Sequence, residues 1–142
     1  MSVAEIKPKV LLPEGSYVVM LDQYTEGPNK KGTGIRGTLE FTVKQRDSEY
    51  TGQKLYLDIN PKNPNLKAEE ISTKSINSFL MATGDCPNGL ADIAHDRTKI
   101  GQFNDVSVVA IVKQKMAGEY VNAQGVKVAA KLKNEIYGFQ AK

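Results

Sequence analysis

The chain has one cysteine, Cys86, one histidine, His95, and no tryptophan. A lone cysteine excludes an internal disulfide and suits a reducing compartment. Cys86 and His95 are too few for a closed zinc site, even with Asp92 and Asp96 near them in sequence. Nothing in their spacing makes them a nucleophile–base pair either. No metal, no cofactor and no enzymatic activity is therefore expected. Long apolar runs are also missing. The longest, Val106 to Val112, is interrupted by Ser107 and is far too short to cross a bilayer, so no membrane partner is expected. The first residues, Met1-Ser2-Val3-Ala4-Glu5, carry an acid and no apolar stretch, unlike a secretory signal. The expected compartment is the cytoplasm.

Net charge is small, +3, but unevenly spread. Residues 1–60 hold eight Lys/Arg and eight Asp/Glu, and residues 61–100 hold five of each. Residues 101–142 set six lysines against Asp105, Glu119 and Glu135, so the whole excess lies in the last third. A local basic patch attracts phosphates more than the average charge suggests, although a lysine-rich solubility surface has the same composition.

At 142 residues the chain is long enough to bury about two-thirds of its unfolded surface. Residues 1–12, interrupted by Pro8, read as an N-terminal arm, and residues 13–142 as a single domain. Tyr17 to Tyr24 predicts a first strand with Tyr17, Val19 and Leu21 on its core side. A flexible loop follows, with Lys30 and Lys31 in it. From Ile35 to Ile59 the alternation is strict. Ile35, Gly37, Leu39, Phe41 and Val43, then Leu55, Leu57 and Ile59, face a core across a turn at Tyr50-Thr51-Gly52. The opposite set contains Arg36, Lys44, Lys54 and the ring of Tyr56. Cations and an exposed ring on a sheet face suit a single-stranded nucleic acid, and equally a solvated outer face with one incidental tyrosine.

Two X-Pro steps in Asn60-Pro61-Lys62-Asn63-Pro64-Asn65 stop the sheet. Leu66 to Thr83 then reads as a helix capped by Asn65 and ended by Gly84, with Leu66, Ile71, Ser75, Phe79 and Leu80 on its apolar face. Asp85 to Lys99 reads as loop with one short turn. Gln102 to Lys115 and Val126 to Phe139 read as strands joined by a loop containing Tyr120. The order strand–strand–strand–helix–strand–strand is that of a mainly β, five-stranded Greek-key barrel of the oligonucleotide-binding (OB) type, with one helix between strands three and four. Ligands of that fold meet strands two and three and the loops joining strands 1–2 and 4–5. Candidate DNA-contacting residues are therefore Lys30, Lys31, Arg36, Lys44, Lys113, Lys115, Lys131 and Lys133 for phosphates, and Tyr56 and Tyr120 for bases.

Gly32-Thr33-Gly34-Ile35-Arg36-Gly37 matches the dinucleotide fingerprint G-x-G-x-x-G literally. The fingerprint requires a helix to begin there, and a strand is predicted instead. Gly27 to Gly32 has P-loop spacing, but Thr33 stands where the phosphate-binding lysine belongs. Neither match is accepted.

The segments Leu12-Pro13-Glu14-Gly15-Ser16-Tyr17, Asn29-Lys30-Lys31-Gly32-Thr33-Gly34, Leu39-Glu40-Phe41-Thr42-Val43, Glu49-Tyr50-Thr51-Gly52-Gln53-Lys54 and Asn60-Pro61-Lys62-Asn63-Pro64-Asn65-Leu66-Lys67-Ala68 occur in this order. Together they resemble a bacteriophage family long catalogued as of unknown function, whose members are regarded as single-stranded DNA-binding proteins of the barrel fold. The resemblance spans residues 11–84 well and the last strands in outline. It implies a non-enzymatic, sequence-tolerant protein that binds single-stranded DNA in phage replication or recombination, in the host cytoplasm. Other replication or recombination proteins and a homo-oligomer are candidate partners. The rival readings are an OB-fold protein-interaction module, an RNA-binding regulatory barrel and, last, an enzyme using Asp58 or the Asp92/His95/Asp96 loop. The segment Tyr137-Gly138-Phe139-Gln140-Ala141-Lys142 lacks the acidic tail through which bacterial single-stranded DNA-binding proteins recruit partners.

Overall fold

A computed structural model describes residues 10–46, 48–117, 120–121, 123–128 and 131–142, with the side chains of Ala117, Tyr120, Val128 and Lys131 outside the described set. The fold is mainly β. Strands β1 (Gly15–Pro28), β2 (Ile35–Val43) and β3 (Lys54–Lys62) are followed by helix α1 (Leu66–Ala82) and two 3-10 segments, Gly89–Ile93 and Arg97–Phe103. Strand β4 (Ser107–Ala117) then leads through a short ribbon, β5 (Tyr120–Val121) and β6 (Lys127–Val128), to β7 (Lys131–Ala141). β1, β2, β3, β4 and β7 form one antiparallel sheet in the order β3-β2-β1-β4-β7. Several boundaries differ from the expected ones: β1 begins at Gly15 and runs on to Pro28, and β3 continues through Asn60 and Pro61, expected to stop the sheet, as far as Lys62, which still pairs with Ile35. Gln102 and Phe103 belong to a 3-10 segment, not to β4, and the last predicted strand is divided into β6 and β7.

Alternation accounts for the inner face. Tyr17, Val19, Leu21, Leu39, Phe41, Val43, Leu55, Ile59, Val108, Ala110 and Val112 are all buried. Three register shifts interrupt the pattern, one of them between the pairs Gly37–Ile59 and Ile35–Lys62, where β3 carries an extra residue. Asp22 is an extra residue in β1, because Leu21 opposes Phe41 and Gln23 already opposes Glu40. The bulge reverses the phase of the strand, so Tyr24 opposes Leu39 and packs against the core, and β1 runs on to Pro28. Another bulge lies in β7 between the pairs Ile111–Gly138 and Val112–Ile136, and its extra residue is the exposed Tyr137.

The sheet order leaves β3 and β7 as edges, and their Cα atoms approach within 8 Å. Helix α1 satisfies both edges. Ser72 Oγ accepts from the Asn60 N–H at 2.7 Å, and Ser78 Oγ accepts from the Phe139 N–H at 3.1 Å. This requirement sets the rotation of the helix. Ser72, Ile76, Phe79 and Leu80 are buried, whereas Leu66 and Ile71, expected on the inner face, are 75% and 56% exposed. The Asn65 cap forms as expected, its side chain accepting from Lys67 N at 3.0 Å. Rings from three elements meet at the centre of the core. Phe41 of β2, Phe79 of α1 and Phe139 of β7 have centroids 5.3 to 5.5 Å apart.

Glycines of the rejected fingerprint have structural tasks. A Cβ on Gly34 would lie 2.0 Å from the Lys62 carbonyl oxygen, and one on Gly37 would lie 2.5 Å from the Tyr24 hydroxyl. Tyr24 O–H donates to Glu26, and Arg97 Nε donates to the same carboxylate at 2.5 Å, fastening β1 to the second 3-10 segment. Burial, with Glu26 beside it, pushes the Tyr24 hydroxyl pKa up. Burial also acts to raise the Glu26 pKa, but hydrogen bonds from Arg97 and Tyr24 outweigh it and hold the carboxyl below its ordinary value.

Three outcomes follow. Phe79→Ala removes the shared ring and should cost about 3–5 kcal/mol in denaturant unfolding. Gly34→Ala should destabilise clearly more than Gly27→Ala, whose Cβ would meet nothing within 4 Å; thermal melts compare the two. The lowered Glu26 pKa contributes stability above the ordinary carboxylate pKa that is lost as pH falls through the folded value. Glu26→Gln should therefore be less stable than wild type near neutrality and should lose less on acidification, as urea titrations at both pH values would show.

Candidate nucleic-acid interface

Over the seam between the two sheet edges lies a groove with a cavity volume of about 970 Å3. One wall is the outer side of β2 and β3, with Arg36, Thr38, Lys54, Tyr56 and Asp58. The other is the β4–β7 hairpin, with Lys115, Met116, Leu132, Lys133, Asn134 and Glu135. Val10 and Leu11 of the arm also line it.

The arm is placed by hydrogen bonds to both walls. Val10 N–H donates to Gln53 Oε1 at 3.3 Å, just before β3. Leu12 N–H donates to Asn134 Oδ1 at 2.8 Å, while Asn134 Nδ2 and Gln114 Nε2 donate to the Leu12 carbonyl at 2.8 and 3.0 Å. The Leu12 side chain is fully buried and is part of the core cluster. Val10 and Leu11 remain partly exposed at the groove, as do Met116 and its cross-strand partner Leu132.

Tyr56 is 45% exposed on the β3 wall, between Lys54 and Asp58 and opposite Glu40. The charges on this wall are matched. Arg36 Nη2 lies 3.3 Å from Asp58 Oδ1, and Lys54 Nζ donates to Asp22 Oδ2 at 2.8 Å and to Thr42 Oγ1 at 2.7 Å. The hydrogen bond to Asp22 raises the Lys54 pKa. Glu40 accepts from Gln23 Nε2 at 2.9 Å. On the hairpin wall, Lys115 and Lys133 are directly opposed across β4 and β7. Like charges so placed repel. Glu135 relieves this only at 3.9 Å from Lys115, and Lys133 has no ion pair among the described residues.

Of the ten residues expected to contact DNA, the groove gathers Arg36, Tyr56, Lys115 and Lys133. Lys30, Lys31, Lys44 and Lys113 are exposed but do not line it. The side chains of Tyr120 and Lys131 lie outside the described residues. Lys30 and Lys31 sit at the tip of the β1–β2 hairpin. The loop there is a bonded turn, with Asn29 N–H donating to the Gly34 carbonyl and Thr33 N–H to Asn29 Oδ1. Sequence reasoning missed Val10, Leu11, Met116, Leu132 and the acid Glu135, and it named Asp58 only as a candidate residue of the least favoured, enzymatic reading. The alternation Lys115-Met116 and Lys131-Leu132-Lys133 was the available signal, an apolar residue between lysines beyond the core.

Among the described residues no group of three or more His, Cys, Asp or Glu is arranged to hold a metal ion, and no helix is long and apolar enough to cross a membrane. Cys86 is buried, which, with Asp92 and Asp85 nearby, holds its thiol pKa above the ordinary value.

Fold and groove together define a small, mainly β protein with a lined cleft at the seam of a five-stranded antiparallel sheet. The chain belongs to the family described as "Protein of unknown function (DUF669)", whose profile it matches over residues 2–136. No curated protein and no solved structure matches it.

Proposed function

We propose that this protein binds single-stranded DNA without strong sequence preference, through the groove, as a non-enzymatic component of phage DNA replication or recombination. The observation that carries the reading is the composition of the groove. It joins an exposed aromatic ring, an apolar shelf and two opposed lysines in one open cleft. Bases need a flat apolar surface and phosphates need cations, and single-strand binders combine the two. The strand order supports an OB-type barrel. β3 and β7 are the strands that closure would join, and α1 lies between the third and fourth strands of the sheet. In such a barrel the outer side of β2 and β3 and the hairpin joining the last two strands bear the ligand, and these are the two walls here.

The apolar members Val10, Leu11, Met116 and Leu132 also favour a second reading, an interaction module that takes an apolar segment of a replication protein.

Fluorescence anisotropy with labelled oligo-dT separates the two, and an equal-length RNA competitor tests the nucleic-acid class. Single strands should outcompete duplex of the same length, because paired bases cannot stack on Tyr56. Tyr56→Ala should weaken binding about five- to hundredfold, from the 1–3 kcal/mol of one base–aromatic stack. Replacing Lys115 and Lys133 by Ala should weaken it more than replacing Lys30 and Lys31, and should flatten the salt dependence by about 0.7 in log–log slope per lost phosphate contact. Equal affinity for duplex, or unchanged binding in the Tyr56 and Lys115/Lys133 variants, would refute the reading.

A further inference from the structure

The groove's guanidinium already has an anionic partner. Arg36 Nη2 lies 3.3 Å from Asp58 Oδ1, and Thr38 Oγ1 donates to that same oxygen at 2.8 Å. Both charged side chains are about half exposed, at 49% and 54%. At such exposure an ion pair is weak and exchanges readily with other anions. Lys54 differs, because Asp22 and Thr42 hold it with two short hydrogen bonds. Lys54, at 46% exposure, is almost as open but is the more firmly held by these two bonds and by the less exposed Asp22, so Arg36 is the cation of this wall that an incoming anion recruits more readily.

We propose that Asp58 is a specificity-determining residue, a resident competitor that occupies the place of a ligand phosphate on Arg36. The proposal rests on the groove binding a phosphate-bearing strand. A tethered carboxylate competes at high effective concentration with any single anion. An isolated nucleotide or an acidic peptide side chain therefore gains little from Arg36. A polynucleotide gains more, because its other phosphates engage Lys115 and Lys133 while one phosphate replaces Asp58. The Thr38 hydroxyl keeps a hydrogen bond on the displaced carboxylate, so the exchange leaves that group partnered. Asp58 thus sets a threshold that only a ligand with several phosphates passes.

Asp58→Asn tests this, since it removes the charge but keeps the shape and an acceptor for Thr38. Asp58→Ser is a second variant, and melting curves establish that each is folded. The readouts are oligo-dT affinity and the salt concentration that elutes each protein from immobilised heparin. Both substitutions should tighten oligo-dT binding about two- to fivefold, which is the reach of one exposed ion pair. Both should also elute later from heparin, and both gains should vanish when Arg36→Ala is combined with them. Unchanged or weaker heparin retention in the Asp58 variants overturns the proposal, as does a gain that persists without Arg36. Should wild type fail to bind oligo-dT while the Arg36-dependent heparin shift remains, the competitor role stands and the single-strand reading falls.

Discussion

Three phenylalanine rings hold this fold together. Phe41, Phe79 and Phe139 come from β2, α1 and β7, elements far apart in sequence, and each touches the other two. β2 and β7 are not neighbours in the sheet. Bringing their rings together forces the sheet to curl until its edges approach, and Phe79 fills the space inside the curl. The helix is therefore part of the core that defines the sheet's curvature, and the groove over the seam exists because of that curvature.

Edges that approach without forming a ladder leave backbone groups to satisfy. α1 meets this need with serine hydroxyls, Ser72 on β3 and Ser78 on β7. The arm links the same two walls through Gln53 and Asn134. A hydrogen-bond requirement thus overrides apolar patterning along α1. Ser72 is buried, Leu66 and Ile71 face water, and Asn77 accepts from Leu90 N–H at 2.8 Å. Gly89 permits this last contact, since a Cβ there would lie 2.3 Å from Asn77 Oδ1.

The strands and the cap on α1 were legible in the sequence because they rest on local rules. Period-two alternation gave the inward residues of β2 and β3, and Asn65 stood where a cap belongs. The bulges at Asp22 and Tyr137 were not legible, since an extra residue leaves no mark in composition and reverses every later assignment on its strand. The rotation of α1 was hidden for a related reason: it depends on which backbone N–H groups the curled sheet leaves unpaired. For the groove, sequence gave the ring and three cations but not their partners. Asp58 sits two residues from Tyr56 and was read as part of the polar half of a strand, or as a catalytic acid in the least favoured reading. Its contact with Arg36 depends on the pairing of β2 with β3, in which Asp58 opposes Thr38.

Charge is divided between the groove's two walls, and the division follows from chain order. Lysine excess is confined to the last third of the sequence, and that third supplies the β4–β7 hairpin. The earlier, balanced part supplies β2 and β3, where Arg36 and Lys54 each face a carboxylate. Local Coulomb fields therefore differ across a few ångströms, with the repelling Lys115–Lys133 pair on one side and matched ions around an aromatic ring on the other. On the proposed reading the walls would do different work. The hairpin would draw the phosphate backbone, and the Tyr56 wall, being nearly neutral, would take the base with little desolvation cost beyond the ring itself. A uniformly basic groove would attract any polyanion more strongly, but it would distinguish a single strand from a duplex less well. On that reading the discrimination would lie in the neutral wall, because stacking on Tyr56 requires an unpaired base.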